Sequence, residues 1–490
     1  MKLFNTMTGK KEDFAPLASG KVGIYACGVT VYDYCHIGHA RSAVVFDVIS
    51  RYLRHKGFEV TFVRNFTDID DKIIRRAQEE HVSWEEVARK YIEEYYRDMD
   101  KLGVSRADVE PKATEHIRDM IGIVSNLIEK GYAYEIPHGD NGSIYFSVGK
   151  FRDYGKLSKK DQKELLAGAR VEVDEAKQSP MDFALWKASK EGEPWWESPW
   201  GKGRPGWHIE CTAMAIRHLG ESIDIHGGGA DLIFPHHENE IAQSEAYTGK
   251  PFARYWVHNG FITIDREKMS KSLGNFFTIR EILDRYDPEV VRLFLLSSHY
   301  RNPIEFSSEQ LRDAESSLDR YYSTVDRISD FLARPVGKES PKESDRQQEL
   351  LAFLTKAESR FEEAMDDDFN TAQALGHIFE LVREVNRFLD TKPAGEKSRE
   401  VIQSAEKSLS RMGSILNLFK RTPEGWNSDL LAVKKIPLTP TSIEEKIRER
   451  KAARDGKDWA RADAVRKELE DRGIILEDKR DRTSWKVKIE

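Results

Sequence analysis

Two apolar stretches on either side of a helix-like segment are the feature that most limits how this chain can fold. The stretch "GKVGIYACG" (20–28) reads as a buried strand, and "ARSAVVFDVISRYLRHKG" (40–57) repeats apolar residues at helical spacing. The next stretch, "EVTFVRNFTDID" (59–70), is rich in β-branched and aromatic residues, as strands are. Strand, helix and strand over this length predict a βαβ unit, which implies a parallel sheet and an α/β fold.

Further stretches predict how the rest of the chain is divided. A further strand, "SIDIHGGGADLIF" (222–234), leads into the helix-like "HHENEIAQSEAYTG", and another, "YWVHNGFITID" (255–265), precedes "REKMSKSLGN". The part between the sheet halves mixes a helix, an "NGSIYFSV" hairpin fragment and a Trp-rich run, and it resembles an insertion. From about Ser307 onward, long polar helices predict a helical bundle. At 490 residues, the chain is long enough for about three domains.

Composition excludes some classes of protein. We find no apolar run of about 18 residues and no apolar leader at the N-terminus, so we expect a cytoplasmic protein that does not span a membrane. Three cysteines cannot build a disulfide framework in a chain of this size. The net charge of −7 counts against nucleic acid as a partner, although binding depends on local basic surface.

One loop combines two cysteines and two histidines, which invites a zinc interpretation: Cys27, Cys35, His36 and His39. The two histidines are three residues apart, where the helix after the first strand should begin, and Gly38 would let a ligand approach the backbone. Such a place suits phosphate, but two ordinary histidines at a helix start explain the pattern equally well. A "KMSKS" run at 268–272 then adds two lysines that could neutralise a triphosphate, or could be a solvated basic loop.

Together, the sequences His-Ile-Gly-His and Lys-Met-Ser-Lys-Ser resemble the two signatures of class I aminoacyl-tRNA synthetases. Four more stretches, "YACGVTVYD", "RNFTDIDDKI", "GRPGWHIECTAM" and "DIHGGGADLIFPHHENEIAQSEA", are similar to the cysteinyl-tRNA synthetase family. The resemblance implies a Rossmann-type parallel-sheet catalytic domain with a connective insertion, then an α-helical bundle and a small C-terminal α/β anticodon-binding domain. The implied blocks are a first catalytic half (1–110), the insertion (111–205), a second catalytic half with the KMSKS loop (206–280), a stem-contact region (281–330), the bundle (331–420) and the anticodon-binding domain (421–490).

The resemblance also implies one zinc ion. Its ligands in the family match Cys27, Cys211, His236 and Glu240, which lie in three separate stretches of this sequence. His236 and Glu240 are four residues apart and would share a helix face, and two thiolates with an imidazole and a carboxylate suit Zn²⁺. Taken singly, each cysteine is more typical of core packing. Cys35 matches no family ligand, and we expect it to pack.

The remaining site residues also follow from the resemblance. The catalytic residues would be His36, His39, Lys268 and Lys271, and ATP would in addition contact Gly38, Gly229 and Asp231. The amino-acid pocket would be formed by Gly28, Thr30, Thr67, Trp207 and His226; for Trp207, plain core packing is an equal alternative.

The implied reaction is the activation of L-cysteine by ATP, with Mg²⁺, followed by transfer from cysteinyl-adenylate to tRNA(Cys). Zinc would recognise the cysteine thiolate, so no editing domain would be needed. We expect a monomer. The alternative is a mycothiol-type cysteine ligase acting on an amino sugar, which lacks an anticodon-binding domain. A methionyl enzyme would carry its metal ligands in a Cys-rich insertion instead.

The surface that would contact tRNA is the least informative part of the sequence. Three tryptophans near the C-terminus could stack on anticodon bases or form a small core: Trp426, Trp459 and Trp485. The sequence slightly favours the core.

Overall fold

The computed structural model describes residues 1–159, 177–264, 267–268, 277–337, 341–479 and 482–489. Within these residues, no helix combines the length and the apolar character that a membrane crossing requires.

Helices form most of the C-terminal half. In chain order the described helices are α1 (Ile37–His55), α2 (Asp71–Glu80), α3 (Trp84–Lys101), α4 (Ile117–Glu129), α5 (Trp207–Leu219), α6 (Glu238–Thr248), α7 (Ile279–Leu283), α8 (Pro288–Leu296), α9 (Ser308–Ala333), α10 (Pro341–Asp366), α11 (Thr371–Asp390), α12 (Gly395–Leu416), α13 (Pro423–Val433), α14 (Pro440–Asp455) and α15 (Trp459–Asp471).

Strands are concentrated in the N-terminal half. In chain order the described strands are β1 (Lys2–Asn5), β2 (Lys10–Asp13), β3 (Lys21–Thr30), β4 (Glu59–Thr67), β5 (Ala133–His138), β6 (Asn141–Phe146), β7 (Phe183–Ala188), β8 (Trp196–Ser198), β9 (Gly201–Pro205), β10 (Ile223–Gly229), β11 (Ala253–Asn259), β12 (Ile262–Ile264), β13 (Glu267–Lys268), β14 (Ile304–Glu305), β15 (Ile474–Asp478) and β16 (Thr483–Val487).

The central sheet confirms the predicted α/β fold. Its order is β11-β10-β3-β4, and all three pairings are parallel. Helix α1 connects β3 to its neighbour β4 on one side, while β10 and β11 lie on the other side of β3. The chain therefore leaves β3 and β10 in opposite directions, and this arrangement opens a crevice at their carboxyl ends, where such sheets bind ligands.

The insertion is more regular than the sequence suggests. The sequence predicts a helix, a hairpin fragment and a Trp-rich run, and the described part contains a five-stranded antiparallel sheet of order β5-β6-β7-β9-β8. The Trp-rich run supplies two of these strands, β8 and β9, joined by a tight turn. Glycine, proline and tryptophan obscure the strand alternation there.

The stretch "YWVHNGFITID" is two strands and not the predicted one. Strand β11 belongs to the central sheet, whereas β12 pairs with β13 and β14 in a separate small sheet. The break occurs at Gly260, whose N–H donates to the Tyr300 carbonyl 2.8 Å away. A Cβ at Gly260 would lie 2.5 Å from the Asn302 carbonyl oxygen, so the close backbone approach that redirects the chain requires glycine.

The C-terminal half is helical, as predicted. Helices α9 to α12 pack together, and a small unit of α14, α15 and the β15–β16 hairpin follows α13. The core interpretation is right for Trp426, which is fully buried and stacks on Tyr322. Trp485 is half-buried and donates to Glu444, whereas Trp459 is 59% exposed.

Candidate functional site

Four side chains from three separate stretches of the chain meet at the carboxyl end of the central sheet. One ligand-capable atom from each of Cys27, Cys211, His236 and Glu240 lies within 4.8 Å of every other, and we call this set the ligand cluster. The two sulfur atoms are 3.7 Å apart, and Nε2 of His236 lies 2.9 Å from a Glu240 oxygen. Three of the four residues are buried.

The elements that carry the ligand cluster are β3, α5 and the start of α6. Cys27 lies on β3 and Cys211 on α5, while Glu240 lies in the first turn of α6. His236 differs from the prediction of a shared helix face, because it lies in the turn Ile233–His237 just before α6. Pro235 has no backbone N–H to contribute, which favours a helix start after it. The turn nevertheless brings His236 against Glu240.

The electrostatics of the ligand cluster favour the ionised forms of Cys211 and Glu240, whereas burial and the neighbouring Cys211 raise the pKa of Cys27 well above its usual value. Burial alone would raise the pKa of Cys211, but its hydrogen bond with Cys27 and the nearby His236 lower that pKa to about 6. For Glu240, burial is outweighed by His226 and His236, which hold its pKa well below the usual range. Burial alone would lower the pKa of His236, but the nearby Glu240 outweighs burial and raises that pKa to about 10. A buried thiolate and carboxylate form a site for a cation.

A second layer of histidines holds these groups in place. Nδ1 of His208 lies 2.9 Å from Nδ1 of His236, and burial keeps the pKa of His208 well below the usual range, so its ring is neutral and can accept. A proton on Nδ1 of His236 then directs Nε2 toward the ligand cluster. Nε2 of His237 lies 3.3 Å from the Cys27 sulfur. A second set of side chains that could bind a metal ion overlaps the ligand cluster and consists of Cys27, His226, His237 and Glu240.

Sequence reasoning missed His208 and His237. His208 lies three residues before Cys211 in "WHIEC", a spacing that places both on one helix face. That spacing is the signal that could have identified it. His237 is next to His236 in sequence, and only the contact with Cys27 singles it out.

Two of the predicted amino-acid pocket residues, Trp207 and His226, contact the ligand cluster directly. Trp207 is 38% exposed, and its ring stacks on His236 with centroids 4.3 Å apart, so it is not plain core. Thr67 and Thr30 are register partners at the ends of β4 and β3. His226 is fully buried behind Glu240, with its Nε2 2.7 Å from a Glu240 oxygen.

Gly28 fills a position where no side chain fits. A Cβ there would lie 1.6 Å from the backbone oxygen of Asn65, and the Gly28 N–H donates to the Asn65 side-chain oxygen at 2.9 Å. This close approach joins β3 to β4 directly beside Cys27.

The two signature histidines form a compact pair at the start of α1. His36 is the N-cap and not part of the first turn, and its ring stacks on His39 with centroids 3.8 Å apart. Gly38 N–H donates to Nδ1 of His36 at 3.1 Å, and His36 N–H donates to Nδ1 of His39 at 3.2 Å. Because both Nδ1 atoms accept, Nε2 of each ring carries the proton.

The other predicted ATP contacts are divided between described and undescribed parts of the chain. Gly229 ends β10, and the Asp231 carboxylate packs against it so closely that a Cβ would lie 2.4 Å from an Asp231 oxygen. The backbone of Lys268 is in β13, paired with Thr263. Lys271 and the rest of the KMSKS signature lie outside the described residues.

Comparison with known proteins identifies related sequences and folds. Family models match for the class I (C) tRNA synthetase catalytic domain at residues 13–316, the DALR domain at 360–420 and the cysteinyl-tRNA ligase anticodon-binding domain at 437–485. A cysteine–tRNA ligase of Thermodesulfovibrio yellowstonii is 64% identical, and one of Geobacter metallireducens is 54% identical, each over 100% of both chains.

Solved structures share the fold at low identity. Methionyl-tRNA synthetase of Mycobacterium tuberculosis, in complex with methionyl-adenylate, covers 86% of this chain and 94% of its own, with a TM-score of 0.62 and 15% identity. A leucyl enzyme of Agrobacterium radiobacter has a TM-score of 0.58 and 11% identity, and the match covers 87% of this chain and 86% of its own. With a catalytic-domain match at 13–316 and full-length relatives at 54% and 64% identity, the chain belongs to the cysteine–tRNA ligase family of class I aminoacyl-tRNA synthetases.

Proposed function

We propose that this aminoacyl-tRNA ligase activates L-cysteine with ATP and transfers it to tRNA(Cys). The observation that carries the proposal is the ligand cluster, which presents two thiol groups, an imidazole and a carboxylate at the crevice of the sheet. The stacked histidine pair lies at the start of α1, the helix that follows the strand carrying Cys27. A soft-ligand site beside a phosphate-type site suits an amino acid with a sulfur side chain.

The ligand cluster fits Zn²⁺ as its metal. Its donor set is typical of zinc, and the favoured ionised forms of Cys211 and Glu240 are the forms that bind a cation. The ion would be held by the ligand cluster, that is, by Cys27, Cys211, His236 and Glu240. A bound Zn²⁺ supplies a Lewis acid that favours the thiolate form of a substrate thiol and binds sulfur in preference to a hydroxyl group.

Around that site, the chain's own groups orient the substrates. Trp207 bounds the amino-acid pocket, and the Thr67 hydroxyl donates to Glu210 at 2.8 Å, so its lone pairs can accept from the substrate ammonium group. Nε2–H of His36 and of His39 would donate to phosphate oxygens of ATP as the cysteine carboxylate attacks the α-phosphate. Lys268 and Lys271 would neutralise the pyrophosphate that leaves, together with Mg²⁺.

Discrimination against serine would occur at the metal and would need no editing domain. Zinc binds a thiolate much more strongly than a hydroxyl group. This difference in affinity is larger than the difference with which a pocket binds two apolar side chains of different size. The match to an anticodon-binding domain at 437–485 favours tRNA as the acceptor over the amino sugar of a mycothiol-type ligase. Trp459, exposed at the first residue of α15 in that region, is the residue we would assign to base stacking.

The test is ATP–pyrophosphate exchange by the zinc-loaded protein with cysteine or serine, followed by charging of tRNA(Cys). We expect exchange with cysteine and at least 1,000-fold less with serine, on the order of what a site with specific polar recognition achieves. A Cys27→Ser variant should lose bound zinc, whereas Cys35→Ser, at a buried position outside the ligand cluster, should retain it. Absence of cysteine-dependent exchange in the unaltered protein would refute the proposal.

A further inference from the structure

The loop that ends at His36 and the segment that begins at Phe277 are joined along their backbones. Ile279 N–H donates to the Cys35 carbonyl at 2.9 Å, and Ile37 N–H donates to the Phe277 carbonyl at 3.4 Å. Between them, His36 and Thr278 form an antiparallel bridge. The residue that caps the signature helix is therefore held by a chain segment more than 200 positions away.

One side chain, Arg280, fastens this junction to the catalytic domain. Its guanidinium carbon lies 4.3 Å from the centroid of the Tyr34 ring, two residues before His36. Its Nε lies 3.1 Å from an oxygen of Asp98, and its Nη2 pairs with Glu94. Both carboxylates belong to α3, so Arg280 connects α3, the loop before His36 and the start of α7.

Further contacts pack the groups around Arg280 against α3. The Tyr34 ring packs edge-on against Tyr91 of α3, with centroids 5.5 Å apart. Asp98 is only 1% exposed, and burial raises its pKa to about 6 against the lowering effect of Lys101. A planar guanidinium can stack and pair at the same time, which an ammonium group cannot do.

We infer that Arg280 is a positioning residue for ATP binding, acting through the backbone of His36. This rests on the proposed function, in which His36 and His39 hold phosphate oxygens. The His39 ring is oriented by a bond from the His36 N–H, so a displaced His36 backbone misdirects both rings. Loss of Arg280 should therefore weaken ATP binding while leaving the cysteine pocket, built from other elements, unchanged.

The chain offers a closely matched control in Arg301. Its guanidinium carbon lies 4.3 Å from the Phe4 ring centroid, and its Nε lies 2.7 Å from an oxygen of the buried Asp368. The side-chain exposures are 30% for Arg301 and 31% for Arg280. Arg301 thus has the same kind of contacts without the bridge to His36.

The experiment compares Arg280→Met, Arg280→Lys and Arg301→Met in the full chain. We measure thermal midpoints, the KM values for ATP and cysteine in pyrophosphate exchange, and the Kd for ATP by calorimetry. We expect Arg280→Met to raise the KM and Kd for ATP at least fivefold and the KM for cysteine less than twofold. Arg280→Lys should be intermediate, and Arg301→Met should lower the midpoint similarly while changing the ATP constants less than twofold.

The outcomes separate this inference from the function on which it rests. Unchanged ATP constants in Arg280→Met, or an equal rise in Arg301→Met, would overturn the positioning role while exchange by the unaltered protein still supports the function. If the unaltered protein binds ATP but shows no cysteine-dependent exchange, the function fails and calorimetry still decides the role of Arg280. If the unaltered protein does not bind ATP, both fail.

Discussion

At the residue scale, the ligand cluster depends on side chains that are not ligands themselves. His208 holds Nδ1 of His236, and that contact leaves Nε2 facing Glu240. Residues that orient metal ligands in this way typically change metal affinity when they are removed.

We predict that His208→Ala weakens zinc binding by about 10- to 100-fold, because the His236 ring loses the partner that fixes its proton. The measurement is competition with a chromogenic chelator. His218→Ala is the matched control: it lies on the same helix and contacts His116 at 2.9 Å, away from the ligand cluster. Equal affinity in both variants would contradict the role of His208.

At the element scale, a buried ion pair joins α8 to α1, the helix that follows β3 of the catalytic sheet. Arg292 of α8 pairs with Asp47 of α1 at 2.5 Å, and both side chains are 2% exposed. The same guanidinium donates to the Leu416 carbonyl at the end of α12 and to the Leu102 carbonyl after α3. Four helices therefore meet at one side chain.

Arg292→Met should lower the free energy of unfolding by about 3 to 5 kcal/mol, because it leaves the Asp47 carboxylate buried without this partner. Denaturant unfolding followed by circular dichroism measures the change. The exposed pair of Arg89 and Glu93 gives the comparison, and Arg89→Met should cost less than about 1 kcal/mol. A small effect at Arg292 would mean that water or Arg51 replaces it.

The same pair predicts how stability depends on pH. Burial would raise the pKa of Asp47, but Arg292 and Arg51 outweigh it and lower that pKa below the usual value. A lowered carboxyl pKa stabilises the fold above the ordinary pKa of about 3.9, and this stabilisation is lost as the pH falls through the lowered value. The difference in thermal midpoint between the unaltered protein and Asp47→Asn should therefore be constant from pH 7 to 5 and shrink below pH 4. A difference that grows on acidification would contradict the pKa direction.

Sequence patterns predicted the elements that depend on local spacing. The βαβ unit and the long C-terminal helices follow from apolar periodicity, which the chain keeps over 10 residues or more in β3 and α1. The split at Gly260 depends on carbonyls near residue 302, and the contact of His208 with His236 joins positions 28 apart. Such long-range contacts leave no periodic signal; the spacing of His208 from Cys211 could have identified the residue, but not its contact with His236.

At the scale of the whole molecule, the C-terminal unit is fastened to α9 by charged side chains. Two basic side chains, Lys479 just after β15 and Arg482 just before β16, both pair with Asp326 and Asp330 of α9. The two basic residues lie far from the ligand cluster in sequence, in the region matched by the anticodon-binding model. The boundary predicted at residue 421 remains a prediction; Arg421 itself pairs with Asp287 at the start of α8.

We predict that Asp326→Asn with Asp330→Asn lowers tRNA(Cys) charging at least fivefold and leaves cysteine-dependent pyrophosphate exchange within twofold. The anticodon-binding unit would lose its orientation relative to the sheet, while the adenylate site would keep all its contacts. Charging and exchange assays on the same preparation measure the two steps. Glu221→Gln, which breaks an exposed pair with Lys250, should leave both rates unchanged. Equal loss of both steps would show that the fastening is purely structural.

The length of helix α9 also has a consequence for the positions of the elements at its two ends. It has 26 residues, which at 1.5 Å per residue span about 39 Å. Its first residues follow β14, the partner of β12, and its later turns hold the C-terminal hairpin. The helix therefore sets the distance between the small sheet of β12, β13 and β14 and the C-terminal hairpin. One inserted residue would turn everything beyond it by about 100°, and even four, roughly one full turn, would lengthen that distance by about 6 Å.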